Sequence, residues 1–146
     1  KEMEKHNKYQ QDQAVAHFDD VAEHYEAAYL RAGYPDPKKV QEFVSKIATK
    51  HVIQKHLAQI LDFGCGTGLI GQYLKEAGFQ NISGIDLSPK MLEKAEEKGC
   101  YSQLINLTLN QEEHVDSIPH TLRGKHDFVT SAGLINNNFL DLKIFE

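Results

Sequence analysis

Ile60-Leu61-Asp62-Phe63-Gly64-Cys65-Gly66-Thr67-Gly68-Leu69-Ile70 is the stretch that decides the fold. A short strand pattern runs into three glycines at alternate positions, and Leu69, Ile70, Tyr73, Leu74 and Ala77 then follow at helical spacing. A strand passes this abruptly into a helix only where the backbone takes conformations that glycine tolerates. The same turn leaves helix N–H groups facing whatever lies beyond it. The helix is expected to stop at Gly78, a residue suited to the left-handed position just past a helix end.

Working outward, Ile82-Ser83-Gly84-Ile85-Asp86 reads as a second strand. Ser88-Pro89 supplies a cap and a first helical residue for a helix that keeps Glu96 and Glu97 in solvent and ends at Gly99. A third strand is expected over about 101–106 and a fourth over 127–131. Pro119 argues against a long helix between them, leaving a short helix or turn near 112–117. Asn136-Asn137-Asn138 reads as a loop and cap, with another helix opening over 138–146.

Upstream, residues 1–12 are polar and without apolar periodicity, and are expected to be frayed or partly helical. Val15, Phe18, Val21, Ala22, Tyr25, Ala28 and Tyr29 then form an amphipathic stripe ending near Gly33. After the break at Tyr34-Pro35-Asp36-Pro37, the residues Val40, Phe43, Val44, Ile47, Ala48 and Val52 continue a second helical stripe to about Lys55. The chain thus divides into a helical lid or cap segment, 1–57, and an α/β core, 58–146, acting as one domain. Strands alternating with helices imply parallel strands, hence a doubly wound Rossmann-like sheet in the order 3-2-1-4.

With 146 residues, 16 Lys plus Arg and 21 Asp plus Glu, the net charge is −5. That balance lacks the concentrated basic face that a nucleic-acid backbone requires, so a nucleic-acid partner is disfavoured. No apolar run approaches a membrane span, and Cys65 and Cys100 form neither a disulfide framework nor a CxxC site. The histidines show no metal-ligand spacing, so no metal is expected. The chain reads as a cytoplasmic protein. Starting at Lys1 and breaking off at Glu146 inside an apparent helix, it also reads as part of a longer protein. A fourth strand left unpaired on its outer side would offer an edge for self-association.

The chemistry concentrates around the glycines. Asp86, at the end of strand two, is placed to accept hydrogen bonds from both hydroxyls of a ribose. Asp62, just before the glycines, is a poor neighbour for pyrophosphate and a good one for a cationic amino-acid moiety. No lysine follows the glycines, so this is not a GxxxxGK[ST] phosphate loop. Charge therefore favours an adenosine cofactor bearing a sulfonium and an α-amino group. A nicotinamide dinucleotide ranks below it.

The run ILDFGCGTGLIGQYLKEAGFQNISGIDLSPKMLEKAEEKG resembles motif I through post-I of the class I S-adenosylmethionine-dependent methyltransferases, and HFDDVAEHYEAAY resembles the N-terminal lid helix of their small-molecule members. The resemblance implies S-adenosyl-L-methionine as cofactor and S-adenosyl-L-homocysteine as product, on a fold that here lacks its C-terminal strands. It places Gly64, Gly66 and Gly68 beneath the methionine part, with Cys65 packed beside them. Asp62 would hold the amino group through water and Asp86 the ribose, while Leu87, Met91 and Leu109 would wall the adenine. Thr108 stands where the family often has an acid against the adenine amino group. Ser131 would face the methyl group and acceptor at the end of strand four, and Tyr25 would cap the methionine end. Leu87, Met91 and Leu109 read equally well as core residues, and Tyr25 as helix packing. No general base is identified. The expected acceptor is a small molecule or a protein side chain, and the alternative is a non-catalytic cofactor-binding or scaffold protein that keeps the fold.

Overall fold

The computed structural model describes residues 2–108, 119, 120 and 122–133, with side chains from Asp12 onward. Helices α1 (Glu2–Arg31) and α2 (Asp36–Lys50) precede β1 (Gln59–Phe63), α3 (Leu69–Glu76), β2 (Asn81–Asp86), α4 (Pro89–Glu97), β3 (Gln103–Asn106) and β4 (Phe128–Thr130). All three strand pairings are parallel and the order is β3-β2-β1-β4, as the alternation of elements requires.

Strand periodicity sorts the core onto two faces. Ile60 and Ile82 point to one side, where they meet Val44 and Ala48 of α2, Ile70 and Leu74 of α3, and Phe79. Leu61 and Ile85 point to the other, where Leu122 covers them. Asp62 alternates onto the Ile60 face and is fully buried there. On the Leu61 face, Val129 of β4 is 62% exposed.

Helix ends follow local chemistry. α1 closes with Gly33 at φ +66°, Tyr34 N–H donating to Tyr29 and Gly33 N–H to Leu30. α3 closes in the same way at Gly78, with Phe79 N–H donating to Leu74. Ser88 caps α4, its Oγ accepting from Met91 N–H at 3.1 Å, and Pro89 follows as the first helical residue.

Four sequence expectations about element bounds are corrected. Residues 2–12, expected to fray, are helical as far back as Glu2. Their Glu, Lys, Gln and Met residues are good helix formers, so a helix needs no apolar stripe there. α2 ends at Lys50 and not near Lys55. Ile53 N–H donates to Ala48 and Val52 N–H to Thr49, the double bond pattern that terminates a helix, with Val52 in the left-handed region at φ +58°. Ile53 thereby packs on the core, whereas Val52 (88% exposed) and Phe43 (64%) do not. β3 is shorter than expected, starting at Gln103, and β4 spans only Phe128–Thr130. The elements anticipated near 112–117 and 138–146, the asparagine loop 136–138 and Leu109 lie outside the described residues.

Candidate cofactor-binding site

The glycine turn joins the carboxyl end of β1 to α3. Gly64, Gly66 and Gly68 all lie in the left-handed region, at φ +70°, +52° and +89°. Gly64 N–H and Cys65 N–H both donate to Ile85 O, tying the turn to β2. A Cβ on Gly66 would meet nothing within 4 Å, so the turn opens there onto free space.

Asp86 closes the turn from β2. Its Oδ2 accepts from Gly66 N–H at 2.8 Å and its Oδ1 from Ser88 N–H at 2.9 Å. Burial raises its pKa, and the hydrogen bonds from Ser88, Gly66 and Leu87 N–H groups pull it back down. The half-buried carboxylate keeps further lone pairs for a ligand. Asn106 at the end of β3 steadies the same corner, its Nδ2 donating to Asp86 O at 3.1 Å and to Leu87 O at 2.9 Å.

Asp62 is engaged inwards. Its Oδ2 accepts from Tyr101 Oη at 2.7 Å and its Oδ1 from Thr130 Oγ1 at 3.0 Å. Burial pushes its pKa up to about 6, against the lowering effect of those two hydroxyls. Tyr101 Oη also accepts from Gly71 N–H, in the first turn of α3, at 3.2 Å. The Tyr101 ring occupies a slot bounded by glycines: a Cβ would approach it to 3.0 Å from Gly68 and 3.0 Å from Gly84, and would overlap it outright from Gly71.

The parallel register brings Asp62, Gly64, Cys65, Gly66, Gly68, Asp86 and Leu87 together at the carboxyl ends of β1 and β2. Cys65 is buried against Gly84, and its thiol pKa is pushed up, mainly by burial and then by Asp62 and Asp86. Ser131 directly follows β4, and its buried Oγ has no hydrogen-bond partner among the described residues. Tyr25 is half-buried on α1, stacked on Tyr29 with ring centroids 4.4 Å apart. Its phenol pKa is raised chiefly by burial and then by Tyr29 and Tyr34, with a contribution from the Asp86 charge. Met91 is only 1% exposed and sits within the α4 packing, whereas Thr108 lies exposed past β3. Sequence reasoning missed Tyr101, Thr130 and Asn106. Tyr101 and Thr130 carry a signal only once the register has set Asp62 beside both Gly84 and Thr130.

Residues 60–143 match the methyltransferase domain family, more than half of the chain. The chain belongs to that family, and its strand order and glycine turn are those of the class I S-adenosylmethionine-dependent methyltransferases. It is 49% identical over 57 residues to human (Homo sapiens) methyltransferase-like protein 27, a match taking in 39% of this chain and 23% of that protein. It is 46% identical over 46 residues to the 18S rRNA (guanine-N(7))-methyltransferase of Bos taurus, 32% of this chain and 16% of the relative. Among solved structures, a TehB-like S-adenosylmethionine-dependent methyltransferase from Corynebacterium glutamicum superposes with a TM-score of 0.53 at 27% identity, covering 81% of this chain and 55% of that one. The chain therefore spans less than a quarter of the length of these curated relatives.

Proposed function

We propose that this chain carries the cofactor site of an S-adenosylmethionine-dependent methyltransferase acting on a small molecule or a protein side chain. The observation that carries the reading is the left-handed glycine turn clasped by Asp86, whose Oδ2 accepts from Gly66 N–H at 2.8 Å. A ligand can approach that backbone at Gly66, where a side chain would fill open space. The buried Ser131 Oγ, without a hydrogen-bond partner among the described residues, supports the reading as a second polar group at the end of β4.

When bound, the cofactor supplies a methyl group on a sulfonium, open to in-line attack by a nucleophile. Asp86 would hold the ribose hydroxyls, and Leu87 would flank the base. Gly64, Gly66 and Gly68 would let the methionine moiety lie against the turn, and Asp62 would favour its ammonium group through the field of a buried carboxylate. Tyr25 would close over the site from α1, and Ser131 would face the reacting end. Holding the reactants in line and excluding water is the larger part of such a transfer, so no dedicated base is required of the described residues.

Calorimetric titration of the full-length protein with S-adenosylmethionine, S-adenosylhomocysteine and NAD tests the reading. The sulfur compounds should bind saturably in preference to NAD. Asp86→Ala should weaken them at least tenfold, the worth of one charge-assisted hydrogen bond of about 1.5–3 kcal/mol, while circular dichroism checks that the variant is folded. Failure of folded wild-type protein to bind, or a preference for NAD, would refute it.

A further inference from the structure

α1 and α4 lie parallel and are fastened by polar links in register. Asp19 Oδ1 accepts from Ser88 Oγ at 2.5 Å and from Lys90 N–H at 3.2 Å. One turn on, Glu23 pairs with Lys94 at 2.9 Å, and a further turn on Glu26 pairs with Lys98 at 2.7 Å. Spacings of four and three keep 19, 23 and 26 on one helix face. Apolar burial from α1 is modest, with Ala14 and Ala22 its buried hydrophobic residues.

The first link differs in kind from the Glu23–Lys94 pair. Glu23 and Lys94 meet in solvent, where such a pair is worth little. Ser88 has no exposed surface, and apart from its carbonyl, which accepts from Leu92 N–H, its groups are divided among three partners. Its N–H holds Asp86 Oδ1, its Oγ accepts from Met91 N–H, and its single hydroxyl proton goes to Asp19. That proton is the only one the hydroxyl has to give. With Asp19 as its acceptor, it is directed away from the Asp86 carboxylate two residues back. Without Asp19, a buried hydroxyl loses its acceptor in the very residue whose N–H holds Asp86 Oδ1.

We propose that Asp19 is a positioning residue for the cofactor site. It fastens α1 to the corner that carries Asp86 and, through Ser88, keeps Asp86 free to accept from a ribose. Seating of α1 and readiness of Asp86 are then one event, and a ligand that engages Asp86 tightens α1 by the same factor that α1 tightens the ligand. The inference rests on the cofactor reading above and adds to it a residue from the lid, 69 positions before the serine it acts through.

The test is ribose discrimination in the full-length protein, measured by calorimetry with S-adenosylhomocysteine and its 2′-deoxy analogue. Wild type should favour the ribose compound. Asp19→Ala should lose about tenfold for that compound and little for the analogue, so that the preference collapses. Asp19→Asn keeps an acceptor oxygen and should retain the preference. Glu26→Gln, which breaks the half-buried pair with Lys98 without touching Ser88, should change both affinities in parallel. Ser88→Ala leaves no hydroxyl to turn on Asp86, so it should keep the preference while lowering both affinities, and should restore the preference when added to Asp19→Ala. An unchanged preference in folded Asp19→Ala, whether both affinities fall together or neither falls, would overturn the proposal. Wild-type protein that binds neither compound would overturn the cofactor reading itself, and this proposal with it.

Discussion

Gly71→Ala should destabilise the protein, against the ordinary preference of a helix for alanine. Within α3 the exchange would on propensity gain about 1 kcal/mol. The new Cβ, however, would overlap the ring and hydroxyl of Tyr101. The ring cannot yield toward Gly68 or Gly84, each so close that a Cβ there would stand 3.0 Å away. Tyr101 must therefore leave its slot, breaking its 2.7 Å bond to buried Asp62 and its 3.2 Å bond from Gly71 N–H. Overpacking costs about 1–3 kcal/mol, and a buried carboxylate stripped of a partner about 1–3 kcal/mol more. Net of the helix gain, the loss should be about 1–5 kcal/mol. Urea unfolding of wild type, Gly71→Ala, Tyr101→Ala and the double variant measures it. Once Tyr101 is truncated, Gly71→Ala should become neutral or stabilising, giving a large coupling energy. An equal penalty in both backgrounds, or a stabilised single variant, would refute the slot.

Two other stability predictions follow from the same geometry. Asp62 has its pKa raised from 3.8 to about 6, so the folded protein binds that proton more tightly than the unfolded chain. The stability this contributes is full below about pH 3.8 and is lost as pH rises through 6, a span of about 3 kcal/mol. Asp62→Asn should flatten the dependence of the urea midpoint between pH 4 and pH 7 by that amount, and an unchanged slope would contradict it. Val52, at φ +58° and 88% exposed, has left-handed strain and little packing to lose. Val52→Gly should therefore raise stability by about 0.5–1 kcal/mol, the left-handed cost less the glycine entropy, seen as a higher midpoint at unchanged slope. A lower midpoint would show that Val52 holds contacts that its exposure denies.

What was legible in the sequence was local. Ser88-Pro89, Gly33 and Gly78 mark helix boundaries because the groups they satisfy lie within a few residues of them. The sheet order followed from alternation and handedness, which need no knowledge of side-chain contacts. The expectation failed where apolar spacing was taken as the mark of a helix. Residues 2–12 are helical without a stripe, and Val52 continued a stripe without being helical. The partners of the site carboxylates were out of reach for another reason. Tyr101 reaches Asp62 across 39 residues and Asp19 reaches Ser88 across 69, distances that no spacing rule spans.

The glycines themselves show why a motif reads more simply than it works. In sequence, Gly64, Gly66 and Gly68 form one pattern with one apparent purpose, closeness to a ligand. In the structure the purpose divides. Gly66 opens outward onto free space, while Gly68 faces inward with Gly71 and Gly84 to admit the Tyr101 ring. That ring fixes Asp62, and the hydrogen bonds of Gly64 and Cys65 to Ile85 fix the turn above it. Absence of side chains thus serves the ligand side and the core side of one turn at once. Substitution at the inward glycines should cost stability first and cofactor affinity only through it. At Gly66, where space is free but the backbone is left-handed, the costs are backbone strain and an obstructed approach.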